Sequence, residues 1–312
     1  MRKLVVNRRV SMSMLLLLIA ALISGCAATE AKNDKVRVTT TIGMIKDIVD
    51  QVGGEHVSVI GLMPSGVDPH LYKATQGDIK RLEDAQIIFY NGLHLEGKMA
   101  EILAQLSKKK PVYAVTESIP KERLLQGDLE SETEFDPHVW FNVELWMMAV
   151  ESVRDRLIEY DPEQEAAYRA NAEAYLSQLQ QLHQKAIDQL ASIPEASRVL
   201  VTAHDAFGYF GEAYGIEVMG LQGLSTASEA GTKDVTELRD LLVERKIKAV
   251  FVESSVSPKY IEAVIQGAKE KGHELVIGGE LFSDAMGAEG TPEGTYIGMV
   301  EHNVRTITNA LK

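Results

Sequence analysis

The stretch Asp161–Pro194, DPEQEAAYRANAEAYLSQLQQLHQKAIDQLASIP, decides how the rest of the chain is organised. Its first four residues read as a helix start: Asp161 as N-cap, Pro162 at the first helical position, where no amide partner is needed, and Gln164 placed to close a capping box. From there Tyr168, Ala172, Tyr175, Leu179, Leu182, Ala186, Leu190 and Ile193 recur at steps of three and four, one apolar stripe that runs until Pro194 stops it. About thirty residues at ~1.5 Å each make a rod of roughly 45 Å, the dimension of a whole domain. A rod of that length is a stiff connector. A helical hairpin broken near Gln180 is the competing possibility, since only polar residues would mark its turn.

On both sides of the rod the chain alternates short runs of branched residues with amphipathic pieces. VRVTTT, VSVIGLM, QIIFYNG and PVYAV precede it; RVLVTA, IEVMGLQ, KAVFVES and HELVIGG follow. Between them lie helix-like segments such as GDIKRLEDA, GKMAEILAQLSKKK, DVTELRDLLVERK and YIEAVIQGAKEKG. Strand and helix in alternation imply parallel sheets covered by helices. The expected fold is therefore α/β: two lobes of four-stranded parallel sheet with flanking helices, residues 35–160 and 195–312, joined by one long rigid helix over 161–194.

The N-terminus is of another kind. MRKLVVNRRVSMSMLLLLIAALISGC carries four basic residues, no acid and one short apolar run, the pattern of a secretory signal over residues 1–25 rather than of a membrane span. Small residues lead into Cys26, as in a bacterial lipobox, and Cys26 is the chain's one cysteine, which excludes an intrachain disulfide or a cysteine metal cluster. Cys26 is expected to carry lipid, with residues 26–34 as a spacer, anchoring the protein to the outer face of the bacterial cytoplasmic membrane. Loss of Arg2, Lys3, Arg8 and Arg9 takes the net charge from −13 to −17, a field that argues against nucleic acid and suits a cation. No later apolar stretch is long enough to span a bilayer.

Of eight histidines, His56, His94, His183, His273 and His302 occupy turns or helices where a solvated or hydrogen-bonded ring is expected. Three others sit where parallel sheets present their chemistry, at or after the carboxyl end of a strand. His70 follows VSVIGLMPSGVDP, His204 ends RVLVTAH, and His138 lies in FDPHVWFN ahead of an amphipathic run. Asp-Pro-His thus occurs twice. With Pro137 at a first helical position, Asp136 would cap the helix and His138 would be held in its first turn, where the helix dipole keeps imidazole neutral. The same dipole repels a cation, so a carboxylate is needed nearby. Asp284, in GGELFSDAMG, follows a strand and has no adjacent Lys or Arg. Three imidazoles and one carboxylate suit a first-row divalent metal, with Glu253, Asp205 and Glu280 as alternative carboxylates.

GVDPHLYKATQGD, GLHLEGKM, FDPHVWF, RVLVTAHDAFGYFG, GLQGLSTASEAG, AVFVESSVS and GGELFSDAMG, in that order, carry a resemblance along nearly the whole mature chain. The chain resembles the metal-binding lipoproteins of bacterial ABC importers for manganese, zinc or iron, and most of all the manganese-binding lipoproteins of Bacillus-type bacteria. The resemblance implies one divalent metal ion held between the lobes by His70, His138, His204 and Asp284, with Glu253 and Asp205 in supporting roles. It also implies partners on other chains, a permease and its ATPase, and a carrier expected to be monomeric rather than an enzyme. In the family the third ligand is glutamate in many manganese-selective members and histidine in members that take zinc as readily; here it is His204. Against zinc, the loop GDLESETEFDPH contains Asp128, Glu130, Glu132, Glu134 and Asp136 where dedicated zinc carriers have a histidine-rich loop. Manganese is the expected cargo, zinc or iron the alternative. A metallohydrolase or an adhesin stapled by its metal are rival functions, but the chain has no His-Glu-x-x-His, nucleophile elbow or phosphate loop.

Overall fold

β1 (Val36–Thr40), β2 (Val57–Gly61), β3 (Ile87–Tyr90) and β4 (Val112–Ala114) form one parallel sheet in the order β2-β1-β3-β4, with Val38 in register with Val59 and Ile87. The computed structural model describes residues 35–127 and 134–312; the signal segment, the spacer, Cys26 and most of the acidic loop lie outside them. α1 (Gly43–Gly53), α2 (Gln76–Asp84) and α3 (Ala100–Leu106) accompany this sheet. α2 starts on a full capping box: Thr75 Oγ1 accepts the Asp78 amide and Asp78 Oδ2 accepts the Thr75 amide.

α4 (Val143–Tyr160) leads to the connector, α5 (Glu165–Leu190), which runs unbroken past Gln180. Its 26 residues make a rod of roughly 39 Å. The whole expected stripe is buried, Ile193 lying just beyond the helix, and His183 joins it with Nδ1 3.3 Å from the Tyr214 hydroxyl. The expected start is corrected. Pro162–Gln164 is a 3-10 turn, Asp161 makes no side-chain cap, and its carboxylate instead accepts the Tyr168 hydroxyl at 3.0 Å. At the far end the Arg198 guanidinium donates to the Ile193 and Ala191 carbonyls, satisfying acceptors that the helix leaves behind.

The second lobe contains β5 (Val199–His204), β6 (Glu217–Gln222), β7 (Ala249–Glu253) and β8 (Val276–Leu281), with α6 (Gly208–Tyr214), α7 (Thr232–Glu244), α8 (Lys259–Glu270) and α9 (Tyr296–Leu311). Its four parallel strands come as two hydrogen-bonded pairs, β5-β6 and β7-β8, rather than one continuous ladder. β8 begins later than HELVIGG suggests and passes through both glycines. Its register on β7 slips between Val250 and Phe251, skipping Gly278, where a Cβ would lie 2.8 Å from the Phe251 ring and from Ala310.

Alternate residues of β5 and β7 feed two cores. Val199, Val201, Ala203 and Val250 pack with Leu238, Leu242, Ile261 and Val264 of α7 and α8. Leu200, Ala249 and Phe251 belong to a larger core shared with the first lobe, the connector and α9. Phe141 of the first lobe stacks on Phe207 of the second, ring centroids 4.2 Å apart. The two lobes therefore meet through continuous apolar packing. Among the described residues no helix is long and apolar enough to cross a membrane.

Candidate metal site

His70, His138, His204 and Asp284 come together between the lobes, each offering one ligand atom within 4.8 Å of all the others. None is more than 5% exposed. His70 stands in the loop after β2, His138 after the second Asp-Pro, His204 is the last residue of β5, and Asp284 follows β8. The turn around His138 is buried, whereas that around His70 is flanked by exposed residues such as Ser65 and Leu71; both rings are nonetheless buried and face the centre rather than solvent.

Asp284 faces the three imidazoles with both oxygens: Oδ1 lies 3.4 Å from His138 Nε2, and Oδ2 lies 3.3 Å from His204 Nε2 and 3.6 Å from His70 Nε2. Neither oxygen has a hydrogen-bond partner of good geometry, nor does His204 Nε2. Burying such atoms unpaired costs about 1–3 kcal/mol apiece, which a bound cation would reverse. His70 Nε2 and His138 Nε2 are 3.3 Å apart, too close for two protonated nitrogens.

The other ring nitrogens of His138 and His204 are held from outside. Glu253 Oε2 lies 2.5 Å from His204 Nδ1 while its Oε1 accepts the His204 amide at 2.9 Å. Asp136 Oδ1 lies 2.7 Å from His138 Nδ1 and accepts its amide at 2.9 Å. A proton kept on Nδ1 by a carboxylate leaves the Nε2 lone pair for a metal. Burial alone would push both rings down in pKa. The carboxylates outweigh it, raising His138 to about 9, through Asp136 and Asp284, and His204 well above the usual imidazole range, through Glu253 and Asp284. His70 lacks such support, and burial takes it down to about 3 despite the pull of Asp284. Burial would raise Asp284, but His204 and His138 hold it well below the ordinary carboxylate range. A dication bound here would compete with protons for these nitrogens.

The helix-start account of His138 is corrected by this geometry. His138 precedes a 3-10 turn, Val139–Phe141, and α4 begins only at Val143 with Asn142 as its cap, accepting the Glu144 and Leu145 amides. Asp136 therefore orients a ring rather than capping a helix. The first Asp-Pro-His is used differently. Asp68 Oδ1 accepts the His70 amide at 2.8 Å, and its Oδ2 accepts the Thr226 hydroxyl from the other lobe at 2.6 Å. Of the alternative carboxylates, Glu253 supports a histidine, Glu280 is exposed, and Asp205 is half-buried outside the converging set. Sequence reasoning missed Asp68 and Thr226, and it missed Trp140, whose indole donates to the Ser283 carbonyl beside Asp284 at 3.1 Å. The aspartate two residues before each histidine was the available signal.

Residues 38–310 match the family model described as zinc-uptake complex component A, periplasmic (ZnuA). The chain belongs to the ZnuA family. Within it, the chain is 53% identical over 293 residues to the manganese-binding lipoprotein MntA of Bacillus subtilis, covering 93% of this chain and 95% of that one. It is 50% identical over 281 residues to the zinc-binding protein TroA of Treponema pallidum, 90% of each chain. The solved structure of Treponema pallidum TroA superposes with a TM-score of 0.86 over 89% of this chain and 99% of that one. Family membership accounts for the two lobes and the long helix. Relatives so similar with differently named metals leave the choice of ion to the site itself.

Proposed function

We propose that this protein is an extracytoplasmic solute-binding lipoprotein that captures one divalent transition metal ion per chain, manganese before zinc, and delivers it to an ABC permease and ATPase on other chains. His70, His138, His204 and Asp284 are the ligands in this reading. The observation that carries it is the pair of unpartnered, buried Asp284 oxygens aimed at three imidazole nitrogens. Asp284, Asp136 and Glu253 together supply the negative charge that a dication needs in a buried setting.

The approach of both Asp284 oxygens favours manganese. A carboxylate binding through both oxygens with three imidazoles gives five donor atoms, more than zinc's preferred four, whereas manganese accepts five or six. Zinc is the competing cargo, because nitrogen-rich sets bind it more tightly. Five protein donors also speak for a carrier over a metallohydrolase, which requires an open position for water. Cys26 is the proposed lipid anchor at the outer face of the cytoplasmic membrane, and the carrier is proposed to act as a monomer. Metals measured by mass spectrometry in chain purified from cells, followed by manganese–zinc competition, test the cargo. Growth in metal-poor medium rescued by zinc and not by manganese would reverse the preference.

Glu253→Gln keeps the size of the side chain but turns a charged acceptor for the His204 ring into a neutral amide. Metal affinity is expected to fall about 10–100-fold with the fold retained. Titration calorimetry reads the effect, and an unchanged affinity would remove Glu253 from its supporting role.

A further inference from the structure

We propose that Thr226 and Asp68 form a clasp across the lobes that sets how long the ion is retained. The inference rests on the ligand assignment above and adds two residues that do not touch the ion. Asp68 is bound on both sides: Oδ1 to the His70 amide and Oδ2 to the Thr226 hydroxyl, 2.6 Å away and 158 residues later in the chain. One carboxylate thus fixes the backbone of a ligand while gripping the loop between β6 and α7.

That loop differs from the other wall of the site. The Asp284 segment is tied to the first lobe on both flanks, by Trp140 on the Ser283 carbonyl and by Ser65 Oγ on the Met286 carbonyl at 2.7 Å. The helix that follows His204, α6, is also tied, the Tyr209 hydroxyl donating to the Asp136 carbonyl at 3.0 Å and accepting the Leu125 amide. The β6–α7 loop has bonds that stay in its own lobe, Gln222 Nε2 to the Ser228 carbonyl and the Tyr260 hydroxyl to Glu229. Thr226, 7% exposed, carries its hydrogen bond to the first lobe. Among the described residues, parting the lobes at this loop breaks one charged hydrogen bond and frees the carboxylate that holds His70, while the Asp284 side stays bolted. Thr226 is in this sense a positioning residue: it acts on His70 through Asp68.

The test is a chelator chase of the whole chain loaded with manganese, and separately with zinc, following release by stopped flow. Losing a hydrogen bond to a charged group is expected to speed release about tenfold or more in Thr226→Val and Thr226→Ala, with association changed less than about twofold. Thr226→Ser restores the hydroxyl and is expected to release at the parent rate. Thr226→Ala, which cannot overpack the loop, keeps the comparison usable if Thr226→Val folds badly. Release from Thr226→Ala at the parent rate, or from Thr226→Ser as fast as from Thr226→Ala, would overturn the clasp. A parent chain that takes up neither metal would overturn the ligand assignment instead, so the two failures are distinct.

Discussion

Asp284→Asn is expected to weaken metal binding by roughly 10²–10³-fold while leaving the protein folded. The substitution is nearly isosteric, so the loop after β8 keeps its ties to Trp140 and Ser65. What changes is charge and polarity. The one carboxylate in the converging set becomes a neutral amide, and its NH₂ group presents protons to imidazole nitrogens 3.3–3.6 Å away, where a lone pair should face the ion. A site of this kind gains on the order of 10–16 kcal/mol from its metal, and one ligand's share of that, about 3–4 kcal/mol, is the estimated loss. Competition against a chelator of known affinity measures the change, and far-ultraviolet circular dichroism monitors the fold. An affinity within about threefold of the parent would show that Asp284 is not a ligand and that the four-residue centre is misassigned.

Such a result would be informative because the site was legible in the sequence to an unequal degree. The eight strands declared themselves through branched residues between turn signals, and all eight are present. The connector's stripe is legible because its period of three and four extends over the whole helix and every member is buried. Local detail at the two Asp-Pro starts is less legible. Spacing alone makes Asp161 and Asp136 helix caps, but each carboxylate has a stronger partner elsewhere: the Tyr168 hydroxyl for one, the His138 ring for the other. A capping box is worth about 1 kcal/mol, so a nearby phenol or imidazole readily outcompetes it. The break of the second sheet into two pairs was not legible, because the pattern of apolar residues fixes which faces are buried but not whether adjacent ladders join. The bond from Asp68 to Thr226 spans 158 residues, beyond any periodic signal.

The continuous core between the lobes also bears on how cargo could be exchanged. Phe141 against Phe207, and Tyr296 reaching from α9 to the Trp140 carbonyl at 2.6 Å, make wide hinge opening expensive. Exchange is then a matter of loops at the strand ends rather than of whole lobes swinging apart. A cleft of about 790 Å³ between the lobes is lined by Lys46, Asp50 and Glu289 and by the segment from Asp284 to Gly290, while the Asp284 carboxylate itself is buried.

Asp47, which also lines that cleft, is expected to make stability depend on pH in a direction unusual for a carboxylate. It is 8% exposed on α1, accepts the Tyr175 hydroxyl of the connector at 2.5 Å, and takes a backbone hydrogen bond from Tyr296 at the start of α9. Burial raises its pKa from 3.8 to about 6, the two hydrogen bonds offsetting only part of the cost. A folded-state pKa above the unfolded one means that the native protein prefers Asp47 protonated. That contribution is fully present below pH 3.8 and is lost as pH rises through about 6. The shift corresponds to roughly 3 kcal/mol at neutral pH. Asp47→Asn keeps an acceptor for Tyr175 and cannot ionise. Denaturant unfolding of the metal-free chain should therefore give similar stabilities for parent and variant near the acid end of this window, with the variant more stable by up to about 3 kcal/mol above it. A difference between the two proteins that stays constant from pH 3.8 through 6 and beyond would mean that Asp47 remains charged across the range, and that its three-helix junction is built around a carboxylate instead of a carboxylic acid.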